Sequence, residues 1–168
     1  MDHPLTNSKA ARTKSQRAIS WLIPVVLFAI SFVVRDVRLG SFAWPDEVTW
    51  TARSVAFYAS LAEGDLRGTH QADHPGVVPM WGYGGLLSLR ALADGDLPKL
   101  YTMTTERELE DIPALLATEA LWTILITSLA VVGVYLLLKR ILDSRVSLVA
   151  TLLVALDPLF LVQSRVVH

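Results

Sequence analysis

Three apolar blocks divide this chain, and they constrain its fold more than any other feature. The first runs from Ile19 to Val34 (ISWLIPVVLFAISFVV), the second from Ala120 to Leu138 (ALWTILITSLAVVGVYLLL). The third runs from Val146 to Val162 and is interrupted by Asp157-Pro158. Crossing ~30 Å of hydrocarbon at ~1.5 Å per residue takes about 20 residues. The second block meets that alone. The other two need their flanks, where Trp21 and the stems of neighbouring arginines and lysines reach the headgroups. Pro24 in the first block is tolerated in membrane helices. Buried helices of a soluble core are the competing explanation, and three such blocks in 168 residues weigh against it. The expected fold class is an all-α integral membrane protein: three transmembrane helices, at about 19–39, 113–138 and 146–165, with a large loop over 40–112 that carries helices lying on the membrane surface.

Basic residues orient the chain. Lys9, Arg12, Lys14 and Arg17 precede the first span, and Lys139, Arg140 and Arg145 fall between the second and third. By the positive-inside rule both places are cytoplasmic, so residues 1–18 form a cytoplasmic basic tail and the long loop lies outside. The first block lacks a small-x-small cleavage site, which favours an uncleaved anchor over a signal peptide. From Arg35 to Glu119 there are 13 Asp/Glu against seven Lys/Arg. No basic cluster suits nucleic acid. Cysteine is absent, which excludes disulfides and thiolate metal sites.

Within the loop, Pro45-Asp46-Glu47 reads as a helix start, with proline at the first position and acids facing the positive end of the helix dipole. Helical periodicity continues to about Ala62, and Glu63-Gly64-Asp65 ends it. His74-Pro75-Gly76 marks a turn. The stretch after it, VVPMWGYGGLLSLRALA, is too broken by proline and glycine for a span and reads as a second surface helix. Thr105-Glu106-Arg107-Glu108 has capping-box spacing.

Taken alone, these polar residues have plain explanations. A Pro-Asp-Glu helix start is more often a cap than a catalyst. His74 before Pro-Gly is more often a loop histidine, Arg165 can serve as a headgroup anchor, and Glu119 fits the interfacial mouth of a span. The histidines lack ligand spacing, and no hydroxyl has a base partner at a diagnostic spacing.

The combination carries more. Trp-Pro-Asp46-Glu47, then Gly64-Asp65, then His74-Pro75 and finally Asp157-Pro158 with Ser164-Arg165 resemble, in order, the N-terminal part of the GT-C fold glycosyltransferases that use polyprenyl-phosphate sugars. These are the protein O-mannosyltransferase and aminoarabinose-transferase-like enzymes, known in bacteria as phospholipid carrier-dependent glycosyltransferases. The resemblance covers residues 19–168. It departs at Gly76, where many members carry a second proline, and at the end of the chain, since such enzymes have many more spans and a further acid soon after the Ser-Arg.

The resemblance implies transfer of a sugar, with inversion, from a polyprenyl-phosphate donor to an acceptor hydroxyl on a protein, lipid or glycan. That activity belongs at the outer face of a bacterial cell membrane, with the N-terminus cytoplasmic. Asp46 would be the general base, with Glu47, Arg53, His74 and Arg165 binding substrate. No cofactor is certain; a divalent cation on Glu47 and His74 is an option. The chain is expected to be a piece of a longer enzyme. The alternative is a non-catalytic multi-pass protein, such as a transporter piece or assembly subunit, or an inactive remnant. No span carries a charge near its centre, which speaks against a transporter.

Overall fold

A computed structural model describes residues 14–36, 45–71 and 77–164 of the chain. Every regular element among them is helical: α1 (Lys14–Asp36), α2 (Pro45–Glu63), α3 (Val77–Asp94), α4 (Leu97–Leu100), α5 (Ile112–Leu138), α6 (Ser144–Ala155) and α7 (Pro158–Gln163).

Helix α5 is the organising element, and α1, α2, α3 and α6 all pack against it. It is apolar all round, which marks a helix surrounded by hydrocarbon or wholly buried in protein. Among the described residues α5 is the one helix long and apolar enough to cross a membrane, and 22% of its apolar stretch is buried within the protein. Leu121, Ile126, Leu129, Val134, Leu136 and Leu137 face outward. Water would oppose such a surface at about 25 cal/mol per Å², whereas lipid removes that cost.

Helix α1 packs against α5, buries Leu27 and Ser31, and turns Trp21, Leu22, Val25, Val26 and Val33 outward. At its end Arg35 is fully buried. The Arg35 Nε donates to Ser164 Oγ at 2.8 Å, and Nη1 donates to the Ser31 carbonyl at 3.0 Å and to Ser31 Oγ at 2.8 Å. The guanidinium also sits 5.0 Å from the Phe160 ring centroid. One side chain thus ties α1 to α7. Hydrogen bonds to a charged group contribute ~1.5–3 kcal/mol each, so Arg35→Ala is expected to loosen α7 from α1. Faster proteolysis near residues 158–164, with α5 still protected, is the check.

The third apolar block forms two helices rather than one. Helix α6 spans 12 residues, and the chain breaks at Leu156 before Asp157 caps α7 by accepting from the Phe160 backbone N–H at 2.8 Å. Pro158, which has no N–H to donate, takes the first position of α7. At ~1.5 Å per residue α6 alone is about 18 Å long, so a crossing in this region needs α7 as well.

Helix α2 begins where the sequence places it and ends one residue past the expected Ala62, with Gly64 in the left-handed region at φ +75°. The broken stretch after Gly76 is a continuous helix of 18 residues. Its glycines mark close approaches. A Cβ on Gly82 would overlap the Trp122 indole of α5, and one on Gly84 would overlap Tyr58 and the Ser54 carbonyl of α2. Glycine here lowers helix propensity and lets α3 press against both neighbours. Val55, Leu87 and Leu100 form the core between these helices, with Ala91, Leu97, Tyr101 and Leu115 packed on it.

Candidate functional site

Helix periodicity separates the two acids that open α2. Neighbouring residues project about 100° apart, so Asp46 is exposed while Glu47 is buried, at 5% exposure. Each belongs to a different environment.

On Asp46's side, Arg53 follows seven residues later, which returns to the same face after about two turns, ~10.5 Å along the helix. Its guanidinium lies 5.2 Å from the Trp50 ring, a cation–π contact that holds it over the helix. Thr49, Ala52 and Arg53 line one wall of an open groove of about 550 Å³. Thr104, Thr105, Glu106 and Arg107 line the other. The Thr49 hydroxyl donates to Glu106 Oε1 at 2.5 Å and links the two walls. Behind this wall the capping-box spacing acts in a turn rather than a helix: Thr105 N–H donates to Glu108 Oε2 at 2.9 Å. Hydrogen bonds from the Thr105 side chain and backbone, with help from Thr104, hold the Glu108 carboxyl below the usual carboxylate range. Two arginines thus line a groove on the face of α2 that begins at Asp46.

On Glu47's side, Thr51 follows one turn later and is 1% exposed. Its hydroxyl reaches the Glu47 carbonyl at 3.0 Å and Glu119 Oε2 at 2.6 Å. Glu119, on α5, is fully buried, and its Oε1 has no hydrogen-bond partner. Glu47, four residues before Thr51 on α2, is buried as well. Glu119, expected at the mouth of a span, is covered there by protein. Helix α2 packs over that stretch of α5 and removes the carboxylate from water.

His74 and Arg165 lie outside the described residues, so the structure does not bear on whether they join the site. Among the described residues no three His, Cys, Asp or Glu side chains converge as a metal cluster. A smaller cavity of about 270 Å³ lies between α3, α4 and α5, crossed by the Lys99–Glu110 ion pair at 2.6 Å. It contains none of the residues singled out in the sequence.

Sequence reasoning missed Arg107 as a groove residue, because its wall is brought to α2 by tertiary packing. It also gave Glu119 too little weight. An acid inside the first turns of an apolar helix is costly, and that cost was the available signal. The chain was compared with protein-family models, with curated proteins and with solved structures, and none matches.

Proposed function

We propose that the chain is the N-terminal part of a GT-C fold glycosyltransferase that moves a sugar from a polyprenyl-phosphate donor to an acceptor hydroxyl at the outer membrane face. In this reading α1, α5 and α6 with α7 are three spans, the N-terminus is cytoplasmic, and α2 and α3 rest on the outer surface.

The observation that carries the reading is the face of α2, with an exposed carboxylate in its first turn and an arginine-lined groove two turns along. An alcohol is a weak nucleophile, and a carboxylate that accepts its proton during attack contributes ~10²–10⁴-fold. Asp46 accepts that proton as the acceptor oxygen bonds to the anomeric carbon. The bond from that carbon to the lipid phosphate breaks on the opposite side, its electron pair leaves with the phosphate, and the configuration inverts. The departing phosphate takes bidentate hydrogen bonds from guanidinium groups. Arg53 and Arg107 supply them from the groove, and the resemblance adds Arg165. A helix at the membrane surface suits this chemistry because the donor arrives from lipid and the acceptor from water.

The test is transfer itself. Membranes containing the protein, given polyprenyl-phosphate sugars with a labelled sugar, are expected to move label from the lipid to a second molecule. Label that stays on the lipid, as in control membranes, would end this reading in favour of a non-catalytic membrane protein.

A further inference from the structure

Glu119 is the single charged residue of α5, and the sugar chemistry does not use it. It is 0% exposed, and its Oε1 has no hydrogen-bond partner. No cation among the described residues reaches it. The charged groups that the surrounding helices bring toward α5 are Glu47 on α2, Arg90 on α3 and Arg35 on α1. The Arg90 guanidinium donates to the Ala114 carbonyl and to Thr118 Oγ1. Arg35 donates to Ser31 and Ser164. The contact that Glu119 does make is with the Thr51 hydroxyl. A carboxylate buried without a cation is far costlier than the neutral acid, and such a group keeps a proton instead.

Hydrogen bonds at Thr51 locate that proton. A hydroxyl has one proton to donate, and Thr51 Oγ1 has two oxygen neighbours. The main-chain carbonyl of Glu47 lies at 3.0 Å and Glu119 Oε2 at 2.6 Å. A carbonyl can only accept. Ser54, Thr118, Thr127, Ser147 and Thr151 all donate to the carbonyl four residues earlier, the usual bond of a hydroxyl inside a helix. Thr51 has the same geometry toward Glu47, which leaves it an acceptor toward Glu119. We propose that Glu119 is a neutral carboxylic acid at neutral pH and a positioning residue: its Oε2–H donates to Thr51, Thr51 donates to the Glu47 carbonyl, and this relay clamps the first turns of α2 to the membrane helix. The clamped stretch carries Asp46. That the clamp steadies a catalytic base rests on the sugar-transfer reading; the proton on Glu119 does not.

Infrared spectroscopy at neutral pH reads the proton directly, because a carboxylic acid and a carboxylate absorb at separate frequencies. The protein is held in a maltoside detergent, which has no carbonyl of its own. A protonated-carboxyl band is expected in the wild type and is expected to vanish in Glu119→Gln. If the glutamine variant fails to fold, Thr51→Val takes its place; it removes the acceptor and is expected to move the band to higher frequency. Hydrogen exchange of the amides of residues 49–53 tests the clamp. Glutamine can still donate to Thr51, so Glu119→Gln is expected to exchange as the wild type does. Glu119→Met, of similar size and without a donor, is expected to exchange several-fold faster there, with the far half of α5 unchanged. A wild-type spectrum without the band, a band that survives in folded Glu119→Gln or stays in place in Thr51→Val, or equal exchange in Glu119→Met overturns the proposal. A band and clamp that behave as expected in a protein that transfers no sugar would remove the sugar-transfer reading and leave the protonated Glu119 standing.

Discussion

Replacing Asp46 by asparagine is expected to lower sugar transfer by ~10²–10⁴-fold, the usual contribution of a general base, while leaving the fold intact. The side chain is exposed in the first turn of α2 and packs into no core. Asparagine keeps its size and its ability to hydrogen-bond to the backbone, and only the proton-accepting charge is lost. Serine separates the two roles further. An acid at the second helical position acts through the helix dipole, so Asp→Ser there costs ~0.3–1 kcal/mol, whereas a base does not survive it. Rate constants measured at saturating donor, with circular dichroism as the control for folding, distinguish the outcomes. Transfer at the wild-type rate in Asp46→Asn would leave the residue as a first-turn acid facing the helix dipole and nothing more.

The second large effect concerns α5. Ile126 lies near the middle of this helix and faces outward, 41% exposed. If that surface meets lipid, Ile126→Arg places a charge at the centre of a span, at ~2.5–3.5 kcal/mol on the insertion scale. The variant is then expected to lose much of its membrane-integrated fraction, read as the share resisting alkaline extraction. If the surface met water, a half-exposed isoleucine would accept arginine within about 0.5 kcal/mol, and the variant would become more soluble. The two environments predict opposite shifts.

The residues that speak for themselves in the sequence are those whose effect is local. Pro45, the acids after it and Gly64 delimit α2 to within a residue because caps and turns act over a few positions. The apolar run of α5 is equally plain, since no contact with another helix is needed to see it. Asp157-Pro158 announces a break for the same local reason, although the block around it reads as one span and forms two helices. Tertiary features were harder to read. Glycines that count against a helix by propensity support α3, because Trp122 and Tyr58 occupy the space beside them. Adjacent acids look like a pair in a string of letters, yet the helix sends Asp46 to the surface and Glu47 into the protein. The groove has the same character, since its two walls come from α2 and from a turn more than 50 residues away. Ser164 was legible as half of a Ser-Arg pair, but its partner on α1, Arg35, was not.

The chain contains no cysteine, so a single introduced thiol reports on one place without background. The most direct test of an interfacial Asp46 that serves a lipid-linked donor is thiol labelling of Asp46→Cys in sealed cells with a membrane-impermeant maleimide. The variant is expected to label from outside, with Glu47→Cys protected, and added polyprenyl-phosphate sugar is expected to slow the Asp46→Cys reaction. Labelling only after the membrane is opened would invert the topology. Labelling from outside that ignores the donor would remove the sugar lipid from this face of α2.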